Sequence, residues 1–148
     1  MIVWDYIVQG FTHPGQLALI IKIVLSTLLG FSIGWNRRTT NAGIRTFTLI
    51  TLGSTMFTII ALTGFPHNTI DNDPARIIAQ IVSGIGFLGA GVIWKTRKEL
   101  TGLTTAASIW AAAGIGIAVG VEMFSLAVLG TLLIIIILML KPIISQYE

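Results

Sequence analysis

The chain has 148 residues, of which 54% are hydrophobic and 10% are charged, and its mean hydropathy is +0.89. Because a soluble domain carries about 25% charged residues, this composition excludes an ordinary soluble domain and predicts an integral membrane protein. The net charge of +3 does not indicate nucleic-acid binding, since the basic residues lie beside hydrophobic stretches, where they orient the chain in a membrane.

The N-terminal segment, residues 1–11, is apolar and aromatic but too short to cross a bilayer. It predicts an interfacial helix with an aromatic anchor, which His13, Pro14 and Gly15 bring to an end. The segment lacks the basic region of a cleavable signal peptide, because Asp5 is its only charged side chain. We therefore expect this segment to be retained.

Five apolar stretches follow, each close to the roughly 20 residues that an α-helix needs to cross a bilayer. They are residues 17–35, 44–64, 76–94, 103–121 and 123–140. The predicted fold is therefore an all-α integral membrane protein, a bundle of about five transmembrane helices that contact the lipid bilayer. Residues 1–148 are predicted to form a single domain, because no stretch outside the spans is long enough for a soluble domain.

The first two spans contain polar side chains that need partners inside a membrane. Lys22 is the one charged residue of the first span. It can either extend its long stem to the outer surface or pair with a buried acid such as Glu122 or Asp73. In the second span, threonines recur at helical spacing and predict a hydroxyl stripe on one face. They are Thr48, Thr51, Thr55 and Thr58.

The third span is predicted to be the centre of the bundle, buried by other helices. Asp73 can cap its free N–H groups, and Pro74 suits the first helical position, where no donor is needed. The span is rich in small or polar residues, which let helix backbones approach closely and gain nothing from lipid. They are Gln80, Ser83, Gly84, Gly86, Gly89, Ala90 and Gly91. Asp73, Arg76, Gln80 and Ser83 share one stripe, a polar seam along this helix.

The last two spans differ from each other in side-chain size. The fourth carries an extended small face, with small residues four positions apart. These residues are Thr104, Ser108, Ala112, Gly116 and Gly120. Glu122 marks a tight turn into the fifth span, which is rich in Leu and Ile on all sides. The fifth span is therefore predicted to face lipid.

The candidate functional residues form the polar seam and its surroundings. The candidate functional polar seam extends the stripe of the third span to seven residues: Arg45, Asp73, Arg76, Gln80, Ser83, Thr104 and Thr105. Hydroxyl groups of the second and fourth spans are expected to bond the deeper seam residues, which cannot reach water. Arg76 with Asp73 is either a working pair at the outer mouth or a plain helix start. Arg45 either anchors the cytoplasmic side or contacts Asn36 or a partner protein. The predicted helix-packing residues are Gly84, Gly86, Gly89, Gly91 and Gly116.

The distribution of basic residues predicts the orientation in the membrane. Lysine and arginine concentrate in alternate loops, residues 36–43 and 95–102, and these loops belong in the cytoplasm. The N-terminus is then outside and the C-terminus cytoplasmic. The outer loop before the third span contains Asp71 and Asp73, whose oxygens suit Mg²⁺ in type, although their spacing matches no established cation loop.

The chain also shows an internal similarity between its two halves. A shift of 59 residues places Trp35 on Trp94 and Gly43 on Gly102 without a gap. One interpretation is a parallel repeat of two helices, first–second and third–fourth, about an axis normal to the membrane. The alternative is that interfacial tryptophans and basic loops look alike because membranes favour both at the same depth.

Three motifs, in order along the chain, resemble those of the MgtC/SapB family of bacterial membrane proteins. They are residues 42–46, Ala-Gly-Ile-Arg-Thr; residues 73–93, from Asp-Pro-Ala-Arg to Gly-Val-Ile; and residues 102–107, Gly-Leu-Thr-Thr-Ala-Ala. The central motif is long and specific, and the matches extend over residues 28–120. After the first span the family shows Gly-Leu-Glu-Arg-Glu, whereas this chain reads Gly34-Trp35-Asn36-Arg37-Arg38. Gly34 and Arg37 carry over, and the two acidic positions do not.

The resemblance implies a small inner-membrane protein associated with growth in low magnesium and with survival inside hosts, a virulence-related role. It also implies that some relatives act by binding other membrane proteins, including the proton-driven ATP synthase, rather than by moving magnesium. Many relatives carry a soluble C-terminal domain as well, and we expect this chain to lack it.

Two functional hypotheses follow from these observations. In the first, the protein is a non-catalytic module that docks through small-residue faces to itself, most simply as a two-fold dimer, or to another membrane protein. In the second, an oligomer transports an ion or small solute along the polar seam. No acidic residue lies in the middle of a span, which disfavours a path for bare Mg²⁺. We expect no enzyme and no cofactor beyond Mg²⁺, because no catalytic, phosphate-loop or zinc pattern is present.

Overall fold

The computed structural model describes residues 14–40, 42–64, 73–95 and 100–140. Within these ranges the chain forms five α-helices, so the predicted all-α bundle is confirmed. The helices are α1 (Pro14–Asn36), α2 (Ile44–Thr63), α3 (Pro74–Gly91), α4 (Leu103–Gly120) and α5 (Phe124–Met139). The first four are long and apolar enough to cross a membrane, whereas α5, with 16 residues, is shorter. The predicted interfacial segment at residues 1–11 and the candidate ligand Asp71 lie outside the described residues.

The connection between α3 and α4 contains a small β-ribbon that the sequence analysis did not predict. Strand β1 (Trp94–Lys95) pairs antiparallel with β2 (Leu100–Thr101), and Trp94 lies opposite Thr101. Gly102 then begins α4 with φ +90°, a left-handed conformation in which a Cβ would overlap the carbonyl oxygen of Val92. The third helix ends at Gly91, three residues before the predicted end of the span, and the chain enters β1 at Trp94.

The centre of the bundle is the contact between α2 and α4, which run in the same direction. A Cβ added to Gly116 would overlap the carbonyl oxygen of Thr51, and one added to Gly120 would lie 2.5 Å from the Thr58 Cβ. Small residues on α4 therefore let its backbone approach α2 closely, as in other membrane helix pairs. Thr55 Oγ1 donates a hydrogen bond of 2.8 Å to the carbonyl oxygen of Gly116 across this contact.

The other helices surround this central pair. Helices α1 and α3 each pack against both α2 and α4, while α5 packs against α1 and α4. On α1, Gly30 and Gly34 lie directly against α2, since a Cβ on Gly34 would be 2.6 Å from the Ile44 Cα. This arrangement, two antiparallel pairs around a parallel central contact, is what the predicted parallel repeat requires. The two halves differ locally, because Trp35 is helical and Trp94 lies in β1.

The prediction that the third helix is the buried centre is wrong for the single chain. The share of residues that are buried is 11% in α3 and 56% in α4. Gly89 is the one buried residue of α3, and it faces Ala106 of α4 at 3.7 Å. Gly116 and Gly120 of α4 lie against α2 and close the core, whereas Gly84, Gly86 and Gly91 of α3 are exposed and face no other described atom within 4 Å. The small size of the side chains did not by itself indicate which of the two helix faces another helix would cover.

Candidate functional site

Helices α1 and α4 hold a buried lysine at one end of their interface. Lys22 is 7% exposed, and its Nζ lies 2.9 Å from Glu122 Oε1 and 3.4 Å from the carbonyl oxygen of Gly120. The Glu122 side chain is 66% exposed, so the pair joins a buried ammonium to a solvated carboxylate. Of the two alternatives for Lys22, the pairing with Glu122 is the one that the structure shows.

The backbone of Glu122 has a conformation that usually selects glycine. Its φ is +67°, and it follows the C-terminus of α4 in a turn closed by two hydrogen bonds. The N–H of Met123 donates to the carbonyl of Ala118 at 2.8 Å, and that of Glu122 donates to Val119 at 3.1 Å. This is a Schellman motif, in which the left-handed position is commonly glycine. A glutamate there costs about 1 kcal/mol in backbone strain, and in return it places a carboxylate beside Lys22.

The opposite end of the α1–α4 interface holds a buried arginine. Arg37 is 9% exposed, and its Nη2 donates a 2.6 Å hydrogen bond to Thr105 Oγ1. Its Nε has no hydrogen-bond partner among the described residues. Burial lowers the pKa of the Arg37 guanidinium, because removal from water disfavours the charged form. Sequence reasoning did not choose Arg37 as a site residue, although its match to the family pattern was an available signal.

A row of buried hydroxyl groups runs along α2 between these two ends. Thr51, Thr55 and Thr58 are each fully buried. Their Oγ1 atoms donate to carbonyl oxygens one turn earlier on α2, at 2.9, 3.0 and 2.7 Å respectively. Thr55 also reaches Gly116 of α4. The row is therefore a satisfied packing contact between α2 and α4, with its polar atoms turned toward backbone.

The predicted polar seam is not assembled in the single chain. Asp73 caps α3 as predicted, accepting a 2.9 Å hydrogen bond from the Ala75 N–H. Most of the other seam residues are exposed and do not face the hydroxyl row; they are Arg45, Arg76, Gln80, Ser83 and Thr104. Thr105 is the member that joins a buried polar contact, through Arg37. Within the described ranges, no group of three or more metal-ligating side chains is present.

The five predicted packing glycines also divide into two groups. Gly116 and Gly89 lie against neighbouring helices, α2 and α4 respectively. A Cβ on Gly84, Gly86 or Gly91 would meet no other heavy atom of the described chain within 4 Å. These three glycines therefore leave the surface of α3 open.

The open surface of α3 includes a continuous face of small residues, which we call the outer face. Its members are Ala79, Ser83, Gly86 and Ala90, all exposed and spaced four, three and four residues apart. Lipid chains gain little from such residues, whereas a second helix can approach them closely. The geometry thus offers a helix-docking surface beside a closed, hydrogen-bonded core.

A bundle of helices that are long and apolar enough to cross a bilayer, with buried charges held at its two ends, defines a multi-pass membrane protein. A family model of the MgtC family matches residues 23–147. The chain belongs to the MgtC family, which confirms the resemblance seen in its three motifs.

Three relatives show how far the similarity extends. An uncharacterized protein of Haemophilus influenzae is 38% identical, over 91% of this chain and 60% of its own length. YhiD of Escherichia coli K12, whose name describes it as a candidate magnesium transporter, is 39% identical over 80% of this chain and 58% of its own length. Protein MgtC of Salmonella typhimurium LT2 is 41% identical over 82% of this chain and 50% of its own length. The chain therefore spans half to three-fifths of these relatives, and no solved structure matches it.

Proposed function

We propose that this protein is a non-catalytic membrane protein of low-magnesium adaptation that acts by binding another membrane protein. The outer face of α3 is the observation that carries this proposal. It is a small-residue surface that the described chain leaves uncovered, and it lies within the long central motif that resembles the family. Membership of the MgtC family supports the link to magnesium.

The expected partner presents a transmembrane helix with a small-residue stripe of its own. Two such stripes bring backbones close enough for van der Waals packing and for hydrogen bonds from Ser83, which has no water to bond at membrane depth. Arg76 at the N-terminal end of α3 is exposed and available to an acidic group on the partner. The proton-driven ATP synthase, to which the family resemblance pointed, is the first partner to test.

Transport of magnesium is the second candidate function, favoured by the name of the Escherichia coli relative. The internal structure favours docking instead, because the hydroxyl row is bonded to backbone and closely packed. No aspartate or glutamate lies within any of the five helices, although carboxylates or waters are what a dehydrating Mg²⁺ needs.

The two functions are separated by one matched pair of variants. Gly86→Leu fills the outer face, while Gly114→Leu places the same side chain on an exposed part of α4; a Cβ at either position meets no described atom within 4 Å. Each variant is expressed in a deletion strain, and growth in low magnesium is measured. Recovery of the partner is measured in parallel by cross-linking in membranes. We expect Gly86→Leu to lose growth and partner together and Gly114→Leu to retain both. The docking proposal is contradicted if the Gly86→Leu strain grows fully, or if the Gly86→Leu protein still carries Mg²⁺ into proteoliposomes.

A further inference from the structure

The groove between α2 and α3 is open along the membrane-crossing part of the bundle. It has a volume of about 470 Å³ and is lined mostly by apolar groups. Leu49, Gly53 and Phe57 line it from α2, and Ile81, Gly84 and Leu88 line it from α3. A Cβ on either glycine would meet no other described atom within 4 Å, so the floor of the groove is accessible to a second backbone.

An equivalent groove elsewhere in the same chain is filled by a helix. In the parallel-repeat interpretation, α1 corresponds to α3 and α2 to α4, so the α2–α3 groove corresponds to the groove between α4 and α1. Helix α5 occupies that second groove, packing on α1 and α4. It enters through small residues: Ala127 and Thr131 are buried, and a Cβ on Gly130 would lie 2.8 Å from Ile115 of α4. This fold thus already accommodates a helix in a groove of this kind.

The direction of a helix that would fill the α2–α3 groove follows from the correspondence between the two grooves. Helices alternate in direction along the chain, so α5 runs with α1 and α3. Rotation about an axis normal to the membrane does not change the direction of a helix. A helix in the α2–α3 groove is therefore expected to run parallel to α5. A second copy of the chain shares one membrane orientation with the first, so α1, α3 and α5 are its helices of suitable direction.

Of these three helices, α3 has the most to gain from leaving lipid. The exposed residues of α1 and α5 are mainly large and apolar, such as Leu28, Phe31, Leu129 and Leu133. Helix α3 instead exposes Gln80 at the rim of the groove, and an amide at membrane depth requires a hydrogen-bond partner. Its Gly84 lets another backbone approach.

We propose that two copies of this chain form a two-fold dimer in which α3 of each copy lies in the α2–α3 groove of the other. The contact is isologous and closes on itself, so it forms dimers and not open chains. Gln80 of each copy reaches polar groups of the other, and the two Gly84 positions lie near the axis. The outer face of α3 stays free, so this inference is independent of the proposed function.

Cross-linking in membranes tests the geometry directly, because the chain contains no cysteine. Gly84→Cys is compared with Gly114→Cys, a glycine with equally open surroundings on α4, and with Leu129→Cys on the lipid side of α5. We expect oxidation to join two copies of Gly84→Cys and to leave both controls uncrosslinked. Equal dimer formation at all three positions, or formation at a control position in preference to Gly84, overturns the arrangement.

Association of the full-length chain in lipid provides the second measurement. Self-association is measured by energy transfer between labelled copies. We expect Gly84→Leu to weaken self-association about tenfold or more and Gly114→Leu to leave it unchanged. Helicity by circular dichroism shows that both variants fold. A wild-type chain that is monomeric in lipid, or a Gly84→Leu dimer of unchanged affinity, overturns the proposal. Growth in low magnesium tests the outer face separately, so failure of one proposal is distinguishable from failure of the other.

Discussion

At the scale of single residues, two buried cations mark the ends of the α1–α4 interface and are satisfied in different ways. Lys22 has a carboxylate partner that is itself mostly in solvent, whereas Arg37 has a neutral hydroxyl partner that lies inside the bundle. A buried cation that loses its partner keeps its full desolvation penalty, while a solvated partner that loses the cation does not. The two members of each pair should therefore respond unequally to substitution.

For the lysine pair, Glu122→Gln is expected to lower the free energy of unfolding by about 1–3 kcal/mol, because Lys22 then lies buried without a counter-charge. Lys22→Met should cost less than about 1 kcal/mol, since Glu122 is 66% exposed and water solvates it. Both values come from denaturant unfolding in detergent micelles. The double variant measures the coupling. Equal losses from the two single variants contradict a buried lysine.

For the arginine, Thr105→Val removes the acceptor of the Arg37 hydrogen bond and keeps the side-chain shape. We expect a loss of about 1.5–3 kcal/mol, the range for a hydrogen bond to a charged group. The neighbouring Thr104 is exposed, so Thr104→Val is the matched control and should change stability by less than about 0.5 kcal/mol. The same unfolding measurement checks both. If the two threonines behave alike, the Arg37 contact contributes nothing to stability.

At the scale of whole helices, the contact between α2 and α4 decides the shape of the bundle. Small residues allow a close approach only where another backbone fills the space that they leave. Gly116 meets that condition against Thr51, while Gly114, two residues earlier on the same helix, faces open surroundings. The same substitution at these two positions therefore separates packing from helix propensity.

Alanine at these two glycines should have effects of opposite sign. Gly116→Ala places a methyl group against the Thr51 carbonyl oxygen, which is backbone and cannot rotate away, so α2 and α4 must separate. The expected loss is about 1–3 kcal/mol. Gly114→Ala meets no described atom within 4 Å and should gain about 0.4–1 kcal/mol by restricting the unfolded chain. Thermal unfolding by circular dichroism measures both, and a neutral Gly116→Ala contradicts the close contact.

At the scale of the molecule, the ends of the bundle carry different charges. Arg37, Arg38 and Arg45 lie together at one end, whereas the other end carries charges of both signs, Lys22 and Arg76 with Asp73 and Glu122. Arg38 also stacks over Trp35, with its guanidinium carbon 5.2 Å from the ring centroid, as expected of residues at a membrane–water interface. The basic end is the one that the positive-inside rule assigns to the cytoplasm.

The predicted orientation is tested with reporters at the two sides. A reporter fused after Glu148 should report a cytoplasmic location, and a tag inserted near Asn68 should be accessible from outside the cell. Both results follow from the basic loops remaining inside. As a control, the basic residues of 36–43 are replaced by glutamine in the same fusion, because this change should weaken the preference of that loop for the cytoplasm. Accessibility of the opposite sense overturns the assignment.

The sequence by itself determined the class of protein and the limits of its helices. Apolar stretches of spanning length predict helices whether or not their neighbours are known, because the bilayer requires every backbone group to be bonded within the helix. Pro74 marks the start of one of them, α3. Each observed helix end lies within three residues of its predicted position. The family motifs, too, are visible in the sequence alone.

The tertiary structure alone decided which polar and small residues have partners. Helical spacing places Thr55, Gln80 and Gly86 on definite faces, but it does not say which face meets another helix. In the folded chain Thr55 bonds across to Gly116 of α4, and Lys22 bonds the Gly120 carbonyl oxygen over a separation of 98 residues and pairs with Glu122, while α3 keeps its small face outside. Small residues fit equally well in a core or at an interface between proteins, because both require only that another backbone lie close. Long-range packing therefore separated the core of this protein from the uncovered small-residue face of α3.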